Sequence, residues 1–193
     1  MNTPFRSFTP PGNALWLALG VGLLAACGGG GGGSMPPSVA LSGTAATGRA
    51  LPNAALSIVC LQGSTSATTN ASGDFQTTFT AAAPCVITAT SGNTVLHSTA
   101  FAGGNFNVTP ETDLLLVYLA AQLGTTESAL IAGFPGNTQF QQTLANEIIV
   151  MNAQAAVVQG LDTQYNITLT AMNFLSAAFA VGQPGVDGDL EKL

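Results

Sequence analysis

The chain has 193 residues, with three Lys and Arg, nine Asp and Glu and one His, a formal net charge of −6. So acidic a balance excludes nucleic-acid binding, which is held largely by Lys and Arg at phosphates. Charged residues make up only 6% of the chain and hydrophobic ones 47%, so hydroxyls and amides must supply the solubility, around a core of small residues in short strands.

The first element is an export signal. A polar start carrying Arg6 runs into Ala14–Ala26, "ALWLALGVGLLAA", which holds no charge. That run suits the apolar region of a signal and falls short of the roughly 20 residues needed to span a bilayer. Leu24-Ala25-Ala26-Cys27 resembles the lipobox of bacterial lipoproteins. The resemblance implies that residues 1–26 are removed, that the Cys27 thiol carries a diacylglyceryl group and that the new amino group is acylated. Several acyl chains, each buried CH₂ contributing on the order of 0.8 kcal/mol, would hold the protein on a membrane far better than one.

The glycine run from Gly28 to Gly33 then reads as a tether, residues 27–37, with a root-mean-square reach of about 18 to 20 Å. A phosphate loop is excluded, because no Lys-Ser or Lys-Thr follows and Met35-Pro36-Pro37 comes in place of a helix. Lipoprotein sorting commonly marks inner-membrane retention with an Asp after the acylated cysteine. Gly28 stands there instead, which implies the outer membrane, facing either the periplasm or the cell surface.

Residues 38–108 alternate with period two and break every eight to ten residues, the pattern of a β-sandwich. The expected strands are Val39–Thr44, Ala54–Leu61, Ser64–Thr69, Phe75–Thr80, Cys85–Thr90, Val95–Phe101 and Asn105–Val108, with breaks at Gly48, Gly63, Ser72-Gly73, Pro84, Gly92-Asn93 and Gly103-Gly104. Phe75 and Phe79 fall on the core face. With Cys27 acylated, Cys60 and Cys85 remain, an even pair in an oxidising compartment, and alternation turns both to the apolar face; they are expected to form a disulfide.

"SGTAATGRALPNAALSIVC" and "ATTNASGDFQTTFT" resemble the carboxypeptidase regulatory-like, transthyretin-like sandwich family. The likeness rests on Gly43, on Gly48 to Leu56 and on Thr69 to Phe75. Ala50 stands where that family usually has Pro, and Asn70 where it has Asp. The resemblance covers about 70 residues and implies turns and core positions, with no chemistry attached.

From residue 109 the period becomes helical. Thr109 is a cap, Pro110 suits the first helical position, Glu111 and Asp113 favour the positive end of the dipole and Gly124 ends the helix. Leu114, Leu115, Leu116, Val117 and Leu119 leave almost no polar face, so this helix is expected to be buried between the sandwich and the other helices. A short helix follows near Glu127–Ala132, and "FPGN" breaks it. Asn137–Gln159 is expected as one long helix, with Phe140, Leu144, Ile148, Met151, Ala155 and Val158 on its buried face and Gly160 at its end. A last helix is expected over Thr168–Val181, carrying Met172, Leu175 and Phe179. The fold class is thus α+β: a Greek-key-type β-sandwich of about seven short strands, followed over residues 109–193 by a small α-helical bundle packed on it. This tail resembles the C-terminal part of uncharacterised bacterial envelope lipoproteins, and the likeness implies no activity.

No catalytic set emerges. The one imidazole, His97, reads as a partly buried or edge histidine, and neither a Gly-x-Ser-x-Gly elbow nor a free Cys/His pair accompanies it. Glu111 with Asp113 reads as a helix start; Asp187, Asp189 and Glu191 read as a solvated terminus without the loop of an EF-hand. No cofactor and no metal site is expected. The expectation is a non-enzymatic, membrane-anchored structural or protein-interaction module of the envelope. The alternative is a glycan or small-ligand binder, whose support is Asn and Thr in loops; Tyr118 and Tyr165, its only Trp-like platforms, fall in or beside helices.

Overall fold

The alternating half of the sequence folds into seven strands in the computed structural model, which describes residues 37–193. The expected signal, the lipobox at Cys27 and residues 27–36 of the tether lie outside the described residues. The strands are β1 Ser38–Thr44, β2 Ala55–Gln62, β3 Ser64–Thr68, β4 Asp74–Thr80, β5 Ala82–Ser91, β6 Thr94–Ala100 and β7 Gly104–Asn105. They form two sheets, ordered β4-β1-β7 and β3-β2-β5-β6, and the chain changes sheet after β1, β3, β4 and β6. All neighbours are antiparallel except β1 and β7.

Burial follows the alternation. β1 turns Val39 and Leu41 inward, β2 turns Leu56, Ile58 and Cys60, and β5 turns Cys85, Ile87 and Ala89. Cys60 and Cys85 face each other across β2 and β5 and form the expected disulfide. Pro84 does not break the chain as expected; it lies inside β5.

Two turns follow from side-chain chemistry. Asn53 adopts φ 53°, a left-handed conformation that Asn tolerates. Asn70 Oδ1 accepts hydrogen bonds from the amides of Ser72 (2.8 Å) and Asp74 (2.9 Å), folding the corner before β4. Gly73 completes that corner at φ 83°, where a Cβ would lie 2.5 Å from the Ala45 carbonyl oxygen.

The second half contains α1 Pro110–Gln122, α2 Glu127–Gly133, a 3₁₀ turn Phe134–Gly136, α3 Thr138–Ala145, α4 Glu147–Tyr165 and α5 Val186–Leu190. Sandwich and helices share one continuous core, running from Leu41, Ile58 and Ile87 through Leu115, Leu116 and Leu119 to Leu144, Val157 and Phe174. Among the described residues no single helix is long and apolar enough to cross a membrane.

Several expectations for the helices need correction. α1 packs between β6 and α4 as expected, with Leu115, Leu116 and Leu119 buried, but Leu114 is 39% and Val117 44% exposed, so its apolar surface is not covered all round. The long helix is two: Asn146 takes an extended backbone and caps α4 by accepting a bond from the Ile149 amide (3.2 Å). The helical phase restarts there, leaving Ile148 72% exposed and burying Val150, Ala153 and Val157 instead. α4 runs past Gly160 and ends at Asn166, at φ 55°.

Residues 168–181 form no helix, because side chains from elsewhere take their backbone groups. Asn107 Nδ2 donates to the carbonyls of Phe174 (2.9 Å) and Ala177 (2.7 Å), Asn105 Nδ2 donates to Ser176 O (3.1 Å), and Gln154 Oε1 accepts from the Leu175 amide (3.0 Å). Phe174 and Leu175 are buried by this path. The acidic terminus is not solvated either: it forms α5, with Asp187 and Asp189 buried.

Candidate functional site

The clearest gathering of chemical groups lies where α1 meets β6. Thr109 and Thr112 close a capping box, with the Thr109 amide donating to Thr112 Oγ1 at 2.9 Å, and Pro110 supplies the first helical residue. β6 is the last strand of its sheet, and the first turn of α1 takes up the main chain of His97. Thr112 Oγ1 donates to His97 O (2.8 Å), and the His97 amide donates to Asp113 Oδ1 (2.8 Å).

The same Asp113 oxygen lies 2.9 Å from His97 Nδ1. Glu127 opens α2 behind the cap Thr126, whose Oγ1 accepts from the Ala129 amide (3.2 Å), and brings Oε1 to 3.3 Å from that same nitrogen. The three ligand atoms lie within 4.8 Å of one another, and all three side chains are partly buried. The Asp113 carboxylate foremost, and Glu127 next, raise the pKa of His97 to about 9 against the cost of burial. Glu127 Oε1 is itself sealed from water and accepts no hydrogen bond.

His97 is at the strand edge, where the sequence reading puts it, but its meeting with Asp113 and Glu127 was not read from the sequence. The available signal was two consecutive helix starts, each with an acid in its first turn, following a strand that carries the sole histidine. Asp113 and Glu111, taken together as one helix start, in fact diverge.

Glu111 is fully buried and neither of its oxygens has a partner. Burial is the main cause that raises its pKa to about 7, against the pull of the Thr109 side chain and of its own amide, and the negative charges of Asp189 and Asp187 add to it. Asp187 accepts from the Gly182 amide (2.6 Å) with one oxygen and leaves the other unpaired. At Asp189 burial opposes ionisation. It is outweighed by Lys192 Nζ at 2.7 Å, the Ala171 amide at 2.7 Å and the amide and hydroxyl of Thr170, which together hold the pKa below the usual range.

A third place is an open cleft of about 540 Å³ between the first sheet and the segment after α4, lined by Thr44, Thr69, Asn70, Asp74, Gln76 and Asn105 with Phe75 and Phe179. Tyr118 and Tyr165 are elsewhere, beside an apolar groove of about 330 Å³ between α1 and α4. Of the residues expected from the sequence to carry a role, Cys60 and Cys85 are joined and buried, and Cys27 lies outside the described residues. Compared with known protein families, with curated proteins and with solved structures, the chain matches none of them.

Proposed function

We propose that the chain is an exported lipoprotein, acylated at Cys27 and held at the bacterial outer membrane, whose body acts as a non-enzymatic structural or protein-interaction module of the envelope. The carrying observation is the order of parts: an uncharged apolar run, Leu24-Ala25-Ala26-Cys27, six glycines, and then a folded unit whose first strand starts at Ser38. The Cys60–Cys85 disulfide supports export, since such bonds persist in oxidising compartments. Its sandwich is of the carboxypeptidase regulatory-like, transthyretin-like kind in this reading.

The interaction reading draws support from the exposed Leu114, Val117, Tyr118 and Tyr165 along the α1–α4 groove, an apolar surface of the kind that protein partners cover. Cys27→Ala tests the anchor: the variant is expected to leave the membrane fraction and appear as soluble, unacylated protein. A variant that still sediments with membranes overturns the lipobox reading.

The polar cleft favours a second reading, binding of a glycan or another small polyhydroxylated ligand. Thr69, Asn70, Gln76 and Asn105 supply hydroxyl and amide groups there, and Phe179 supplies an aromatic edge. Retention of the purified protein on immobilised glycans, lost in Asn70→Ala with Gln76→Ala, would place this reading first.

A further inference from the structure

His97, Asp113 and Glu127 pose a problem of proton number. Nδ1 of an imidazole carries at most one proton, and two carboxylate oxygens converge on it, at 2.9 Å and 3.3 Å. Asp113 Oδ1 takes that proton and accepts the His97 amide as well. Glu127 Oε1 is left in a water-excluded position with no donor but the single proton that Asp113 already takes, although a buried oxygen without its own hydrogen bond is costly and the glutamate side chain is only 18% exposed.

A divalent cation in place of that proton satisfies all three groups. We propose that His97 Nδ1, Asp113 and Glu127 form a binding site for a zinc-like divalent transition metal that joins β6 to the starts of α1 and α2. Zinc bonds to imidazole nitrogen and carboxylate oxygen of about 2.0 to 2.1 Å, in tetrahedral geometry, place ligand atoms about 3.3 Å apart. The two nitrogen–oxygen separations already lie within a few tenths of an ångström of that edge.

The donor set also selects among metals. One imidazole and two carboxylates suit zinc and its neighbours, whereas Ca²⁺ takes six to eight oxygens. Two carboxylates neutralise a divalent charge, and three protein ligands leave a coordination position for water or an incoming group. The ligands need little reorganisation, because Asp113 is held by the His97 amide, the His97 carbonyl by Thr112 and the first turn of α2 by Thr126. On loading, the Nδ1 proton leaves to solvent, the imidazole keeps its proton on Nε2, and no oxidation or reduction occurs.

The test uses the purified protein, stripped with a chelator and then titrated with ZnSO₄ by calorimetry and by equilibrium dialysis with metal analysis. The expected result is saturable uptake of one zinc per chain with a rise in Tm. In Glu127→Gln and in His97→Gln the affinity is expected to fall by more than the roughly 10- to 100-fold that loss of an outer partner costs, while Glu111→Gln binds as the wild type does. Co²⁺ in place of zinc is expected to give visible absorption bands that both ligand variants lose. Circular dichroism of the metal-free variants checks folding, and Glu127→Gln decides the matter if His97→Gln does not fold. No saturable uptake by the wild type, or uptake that survives both substitutions, overturns the site and leaves a histidine–carboxylate ion pair.

Discussion

Glu111 stands in the first turn of α1, where an acid favours the helix dipole, yet its carboxyl is sealed in the core without a well-formed hydrogen bond. With its pKa raised from 4.5 to about 7, the folded protein holds a proton between those values that the unfolded chain has already released. Stability is therefore greatest below pH 4.5 as far as this group is concerned and falls as pH rises toward 7. Glu111→Gln keeps the shape and removes the charge. It is expected to match the wild type near pH 5 and to exceed it at pH 8 by up to about 3 kcal/mol, read from urea unfolding at the two values. Equal stability at pH 8 would mean that the ionised carboxylate finds a partner. Sequence reading put the acid correctly at the helix start. It did not reveal the burial, because the surroundings of Glu111 are assembled from distant parts of the chain, with Asp187 and Asp189 of α5 near enough for their charges to act on it.

Among the elements, strands and hairpins were the most legible. Their burial repeats every second residue and their ends carry Gly or Asn at positions that need positive φ, such as Gly63, Gly73 and Gly92, so local chemistry suffices. The segment from Thr168 to Val181 was misread for the opposite reason. Met172, Leu175 and Phe179 have helical spacing, but the backbone groups a helix would use are held by Asn107, Asn105 and Gln154, which no local window contains. Asn107→Ala, by removing the donor to Phe174 O and Ala177 O, is expected to cost about 3 kcal/mol. Hydrogen exchange is expected to rise first over residues 172–180, ahead of β2 and β5. Uniform acceleration across the protein would show that the segment is not separately held. Asn146 makes the same point on a smaller scale: one residue ends α3 with its extended backbone, starts α4 with its side chain and shifts which residues of the long apolar pattern are buried.

At the level of the whole molecule, the sequence divides near residue 109 into a β part and an α part, while the structure gives them one core. Leu115, Leu116 and Leu119 of α1 are buried where β6 and α4 both pack, so neither half has a closed core alone. Both halves are expected to unfold in a single transition. Tyr118 and Tyr165 sit on α1 and α4, so tyrosine fluorescence follows the helices while circular dichroism follows both parts. Coincident midpoints in urea are expected, and separated ones would show two independent units. The α+β class was legible from the change of period at Thr109. The meeting of His97 with Asp113 and Glu127 was not, since it needs the angle at which α1 and α2 leave the sheet.

The bonds from Thr112 and Asp113 to the main chain of His97 also bear on what a second copy of the chain can do at that edge. An outermost strand with free amides and carbonyls is a template onto which a neighbour's strand can add. At the middle of β6 the donor and the acceptor that such an intruder would need are already taken by a threonine and an aspartate of the chain's own helix. The first turn of α1 therefore works as a stopper on that edge, and strand-to-strand addition at the middle of β6 is blocked from within the chain.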